Sequence, residues 1–200
     1  MTHPASRTSV PLMITGMGGD EAMRHPWVGI DESTPVHELA APVIPEPPRN
    51  GEGGTPCGAC ADDGPRELEV YRDALWRVTV LRGRALPGTC MLIPLRHVDG
   101  VAGLDAEELA SFGPMVARIS KALQDRPAGA PGFGDGRVGR VHGHLWNDGG
   151  AHLHMWFFPR PLGYLDLLGS VLVEWEEVLP PATEEQTLAA AEDLRSRLGG

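Results

Sequence analysis

The sequence predicts an α+β domain built on an antiparallel sheet. Three observations carry this reading. Short segments of strand-like alternation precede one long helical segment, and further strand-like segments follow it. Most of the joins between them are short and rich in Gly, Pro, Asn and Asp. The long helical segment opens on a strong N-terminal cap. No internal repeat is present.

Residues 1–54 are rich in Pro, Gly and charge. Pro42-Val-Ile-Pro45-Glu-Pro47-Pro48 reads as polyproline II and runs into Asn50-Gly-Glu-Gly-Gly54. The composition fits an extended, poorly ordered N-terminal arm and fits plain disorder equally well. A short apolar piece, Trp27-Val-Gly-Ile30, is available for docking on the domain or on a partner.

The main domain is expected over residues 55–181. Leu68 to Leu81 alternates as two short strands, with the β-branched run Val78-Thr79-Val80 in the second. Arg82 to Gly88 is a turn. Thr89-Cys-Met-Leu-Ile-Pro94 is a buried strand that ends at its proline, which makes Cys90 a buried, inert thiol. Asp105 and Glu108 form a capping box, and Leu109, Phe112, Val116, Ile119 and Leu123 follow at helical spacing to about Gln124. Gly113-Pro114 should kink that helix. Arg126 to Gly136 is a loop.

Val138 to Trp146 and Ala151 to Phe158 read as two strands joined by a tight hairpin at Asn147-Asp-Gly-Gly150. Ser170 to Trp175 reads as a further strand. Thr183 with Gln186 caps a last helix through Leu198, so residues 182–200 are expected to pack as a C-terminal helix on the domain.

The totals exclude several function classes. Lys and Arg number 17 against 27 Asp and Glu, for a net charge of -10. A nucleic-acid backbone or an anionic membrane needs clustered Lys and Arg, so neither is expected as a partner. Lys121 is the only lysine and has no phosphate-binding or Schiff-base motif around it. No apolar run approaches the roughly 20 residues that span a bilayer. The three cysteines form no even disulfide set, and the first residues lack a signal-like pattern, so a cytoplasmic protein with reduced thiols is expected.

The chemistry concentrates in three places. Cys57-Gly-Ala-Cys60 has the spacing of a metal knuckle, of a redox pair, or of two incidental thiols. It sits with a loop better than with a strand and helix. On a strand, His152, His154 and Trp156 share one face while Leu153 and Met155 take the other. Two imidazoles on one face call for ligand or catalytic roles, since as mere packing each ring would need its own partners. His97 follows the buried strand and makes a fourth ligand credible in that company. A two-residue turn after Trp146 would put Gly143 and Leu145 on the His154 face, whereas a three-residue turn would put His142 and His144 there.

The order Val70-Tyr-Arg-Asp73, Pro87-Gly-Thr-Cys-Met-Leu-Ile-Pro-Leu-Arg-His-Val98, a capped helix, Asn147-Asp-Gly149 and His152-Leu-His154-Met-Trp-Phe-Phe-Pro-Arg160 resembles the histidine-triad (HIT) superfamily over about residues 57–161. The resemblance implies a HIT-like antiparallel sheet and, commonly, a homodimer. Its zinc-containing members, including relatives of galactose-1-phosphate uridylyltransferase, imply a structural zinc on Cys57, Cys60, His97 and His152. In the family the middle histidine attacks phosphorus, which implies a nucleotide-like small molecule as substrate and His154 as nucleophile of a nucleotide hydrolase or nucleotidyl transferase. Trp156 stands where the family has a third histidine near the leaving group, and an indole N–H donates without shuttling a proton. Asn147 and Arg160 correspond to substrate-contacting positions. Asn147 is also readable as a turn residue. Beyond these, only Arg96 and Arg140 offer positive charge nearby, and the loop that holds phosphate in the family is shortened. The alternative is a diverged zinc-binding domain without phosphoryl chemistry that binds a small ligand or partner or does other chemistry in the same pocket.

Overall fold

The computed structural model describes residues 42–126 and 137–199. Five strands form one antiparallel sheet: β1 Glu69–Arg72, β2 Trp76–Val80, β3 Cys90–Pro94, β4 Val138–His144 and β5 Met155–Pro161. Their spatial order is β1-β2-β3-β5-β4. The helices are α1 Gly58–Ala61, a single turn, α2 Ala106–Gln124, α3 Val171–Val178 and α4 Glu184–Leu198. None of the described helices is long and apolar enough to cross a membrane.

Alternation sorts the sheet into two faces. Trp76, Val78, Val80, Cys90, Leu92 and Phe157 point to one side and meet Ile119 and Leu123 of α2 and Leu194 and Leu198 of α4 in the main core. Both helices are fixed at their starts as the sequence predicts. Asp105 accepts from the Glu107 and Glu108 amides while Glu108 returns a bond to Asp105 N, and Thr183 and Gln186 repeat the pattern. Pro114 lies inside α2, and the helix runs through it. Cys90 is fully buried, and burial pushes its thiol well above the ordinary range. The expected loop from Arg126 lies almost wholly outside the described residues.

The other face carries a smaller cluster of Leu86, Phe158, Leu167 and Leu172, with Trp156 and Trp175 against it. Here the sequence reading needs correction. Ser170 to Trp175 is no strand: Val171–Val178 is helical. Its valines favour a strand locally. Helical spacing, however, buries Leu172 and Glu176 on one side, over the β2–β3 turn. That tertiary gain outweighs the few tenths of a kcal/mol by which valine disfavours a helix.

The hairpin also differs from expectation. His144 pairs with Trp156, so residues 145–154 form a long connection and the regular strand begins only at Met155. Asn147 does adopt the left-handed conformation of a turn residue. The loop's backbone bonds go elsewhere, however. Asn50 N donates to Gly149 O at 3.4 Å, Ala151 N to Asn50 O at 2.8 Å, and Leu153 N to Val98 O at 2.6 Å. The end of the N-terminal segment is thus stitched to this loop, with Arg49 bonding Asn147 O, Asp99 and Glu52.

Candidate functional site

The stitched loop delivers His152 to the cysteine knuckle. Cys57 stands at the N-cap of α1 and Cys60 lies within that single helical turn, where the sequence predicts a loop. Asp62 closes the turn in the left-handed conformation. Arg77 of β2, itself buried, lies beneath it and bonds Ala59 O at 2.7 Å and the Asp62 carboxylate. His97 follows β3. Gly51, at φ +92°, passes so close that an added Cβ would sit 3.2 Å from the His97 ring and 3.3 Å from Cys57 Cβ.

The ligand atoms of Cys57, Cys60, His97 and His152 all lie within 4.8 Å of one another. Cys60 Sγ is 3.2 Å from His97 Nδ1, and both sulfurs are 3.4 Å from His152 Nδ1. A tetrahedral zinc with two thiolates and two imidazoles has N···S edges of about 3.6 Å. His152 Nε2 donates to Pro94 O at 2.9 Å, which fixes the tautomer and aims the lone pair of Nδ1 at the sulfurs. Burial also holds His152 below the ordinary histidine range, which favours the neutral form that a ligand must have. The cluster fits a structural zinc site: all four positions are protein donors.

His154 has other partners. Its Nδ1 donates to His152 O at 2.7 Å, leaving Nε2 as the basic nitrogen. The ring is half-buried, edge-on to Trp156 with centroids 6.3 Å apart. Trp156 stacks parallel to Phe158 and meets Trp146 edge-on. Since His142 pairs with Phe158 and His144 with Trp156, both histidines join this outer face, the arrangement expected of the longer turn. Burial lowers the affinity of both for a proton. His144 lies flat on Trp146, 4.7 Å between ring centres.

Other expected residues are engaged differently. Asn147 spends its side-chain N–H on Asp99 O at 2.7 Å. Arg160 is buried six residues beyond His154, roughly 20 Å along a strand, and bonds the carbonyls of Pro161 and Tyr164. That position cannot serve a ligand at His154, because the guanidinium is holding the turn after β5. Arg96 bonds the buried Glu108 and Gly103 O, and Arg140 bonds Gly139 O. Arg84, which the sequence reading passed over inside a turn, lies with its guanidinium carbon 5.0 Å from the Trp156 ring centre. Its signal in the sequence is slight: a basic turn, Arg82-Gly-Arg84, just before the buried strand.

A cavity of about 230 Å³ opens on the same outer face. Gly58, Ala59 and Asp62 wall it on the knuckle side, and Arg77, Thr79, Met91 and Ile93 of β2 and β3 line the sheet side. Met91, on this face, pairs with Trp156, the ring beside His154.

Comparison with solved structures decides the architecture. A histidine triad protein from Marinobacter aquaeolei VT8 superposes with a TM-score of 0.51 at 18% identity, covering 66% of this chain and 88% of that one. The chain has the histidine-triad fold. A zinc-bound histidine triad family protein from Mycobacterium smegmatis shares it at a TM-score of 0.50 and 17% identity, covering 70% of this chain and 88% of the other. A mutant uridylyltransferase shares it at a TM-score of 0.50 and 18% identity over 70% of this chain and 45% of its own length. No family model matches the sequence, and no curated protein matches it. The fold agrees with the resemblance read from the motifs.

Proposed function

We propose that the chain is a zinc-stabilised member of the histidine-triad superfamily that transfers or hydrolyses a nucleoside monophosphoryl group through His154. One observation carries this reading: the 2.7 Å bond from His154 Nδ1 to His152 O commits Nδ1, so that Nε2 is the nitrogen left to act as nucleophile on a half-buried face. In this reading Nε2 attacks phosphorus and forms a P–N bond as the bond to the leaving group breaks. Water then attacks phosphorus, and the P–N bond returns its electron pair to Nε2. The leaving group takes its proton from solvent, because Trp156 has no proton to relay.

In this reading the cavity lined by Met91 and Ile93 takes the rest of the substrate. Its 230 Å³ falls below the roughly 300–1,000 Å³ of sites that enclose a drug-sized ligand, so it takes part of one, such as a base. The structural zinc ties α1, which walls this cavity, to the segments that bear His97 and His152. Cys57, Cys60, His97 and His152 are its proposed ligands.

The experiment is turnover of a nucleoside phosphoramidate or a dinucleoside polyphosphate. Wild type is expected to turn over slowly and to yield a nucleotidylated protein in single-turnover samples. His154→Ala should reduce both to background while zinc content stays at that of wild type. A second reading rests on Asn147, whose side-chain N–H and carbonyl are both committed to internal bonds: the site binds its ligand without phosphoryl chemistry. Nucleotide binding with no turnover and no adduct favours that reading.

A further inference from the structure

We propose that Arg84 is the anion-holding residue of the His154 site, seated on Trp156 and poised to bind the oxygens of a phosphoryl group. The inference rests on no phosphoryl chemistry, only on binding, although it supplies what the proposed function needs. An anion at His154 requires preorganised positive charge or N–H donors. Among the described residues, Arg96 bonds Glu108 and Gly103 O, Arg160 holds the turn after β5, and Arg77 bonds Ala59 O and Asp62 beneath the knuckle. Arg140 is exposed and bonds the carbonyl of the adjacent Gly139, and Arg84 is the arginine that lies on Trp156.

Arg84 differs on three counts. Its guanidinium lies over the indole of Trp156, whose ring is in turn the neighbour of His154. Stacking on an indole leaves the N–H edge of the guanidinium available in its own plane, and that edge matches two phosphoryl oxygens. Among the described residues, its guanidinium hydrogen-bonds Glu177 at 2.8 Å, a carboxylate 65% exposed to water. An exposed ion pair is worth little, so an arriving anion can displace Glu177 at small cost.

The backbone that presents Arg84 is firmly held. Ala182 N donates to Arg84 O at 2.8 Å. The next two amides, of Ala85 and Leu86, donate to Glu176, as does the Thr89 hydroxyl at 2.8 Å. Glu176 is buried and accepts all three of these bonds, so its carboxyl holds the turn. Helix α3, which the sequence did not reveal, thereby fixes the turn over the histidine face. Trp156 in the third triad position then has a use of its own: it is the platform for a cation supplied from a different strand pair.

The test is calorimetric titration of the zinc-loaded full chain with inorganic pyrophosphate. Wild type should bind, Arg84→Ala should bind about tenfold more weakly or worse, and Arg84→Lys should recover only part of the loss. Glu177→Gln should bind about threefold more tightly by freeing Arg84. Trp156→Leu should weaken binding through loss of the platform. Unchanged zinc content and melting temperature in Arg84→Lys and Glu177→Gln guard against a folding effect. Binding by Arg84→Ala equal to wild type overturns the proposal, and so does a wild type that takes up no pyrophosphate. Turnover of nucleotides that survives Arg84→Ala at unchanged KM sinks the role of Arg84 and leaves His154 standing. Pyrophosphate binding through Arg84 without any turnover does the reverse.

Discussion

His152 and His154 flank Leu153, both turn away from the core, and meet different partners there. His152 is 4% exposed, with one ring nitrogen on Pro94 O and the other at two sulfurs. His154 has one ring nitrogen on the backbone of His152 and the other turned to an aromatic face. The same alternation that sends Leu153 into the core sends both histidines outward. What separates them is what each meets there: a knuckle carried by an N-terminal segment, or a platform of tryptophans. The difference teaches that a paired histidine motif encodes two jobs only when other segments arrive to divide it.

Removing the metal should break this comparison most sharply. Zinc binding by small structural sites is worth about 10–16 kcal/mol in peptides that fold only with it. Here the sheet, α2 and α4 have a core of their own, so the loss should be local. Chelation, or Cys57→Ser, should release residues 49–62 and 147–152 to rapid amide exchange and lower the melting temperature, while the amides of α2 and β2 stay protected. Loss of protection spread evenly through the sheet would show that the knuckle and the core are one unit. His154→Ala, by contrast, should leave both protection and melting close to wild type.

A smaller effect is expected at Gly51. Alanine there keeps a backbone of φ +92° that L-residues rarely adopt and also crowds His97 and Cys57. The strain should cost about 1–3 kcal/mol, and zinc affinity should fall as well. Gly54→Ala separates the two causes, since Gly54 has φ +88° and no atom within 4 Å of its would-be Cβ. Stability should fall in both variants and zinc affinity only in Gly51→Ala, as read by competition with a zinc indicator.

How much of this was legible in the sequence follows from the range of each interaction. The capping boxes at Asp105 and Thr183 are contained within four residues each, and both stand in the structure as read. The strands from Glu69 to Pro94 also declare themselves by local alternation. Asn147-Asp-Gly-Gly150 misled because its turn chemistry is real while its partner is Asn50, roughly a hundred positions away, and no local pattern reports that pairing. The same holds for α3, whose helical state depends on Leu172 and Glu176 finding the β2–β3 turn. Of the outer site, the histidine motif was readable and Arg84 was not, because its meaning comes from Trp156 across the sheet.

The smallest expected effect concerns pH and the segment that carries His97. Arg96, its neighbour, is anchored by the buried carboxylate of Glu108, which also caps the Asp105 amide. The Arg96 guanidinium, followed by burial acting the other way and the bond from Asp105 N, leaves Glu108 below its ordinary value of about 4.5. A carboxyl depressed in the folded state contributes stability that is present above its unfolded value and lost as pH falls through the folded one. Glu108→Gln should therefore be less stable than wild type at neutral pH, with the gap constant down to about pH 4.5 and closing below it. Denaturant unfolding of the two proteins from pH 7 to pH 3 reads the gap directly. A gap that stays constant to pH 3 would mean that Glu108 acts through shape and hydrogen bonding alone. One that closes should be matched by Arg96→Gln, since the charge in question is shared by the pair, and neither variant should alter what happens at His154.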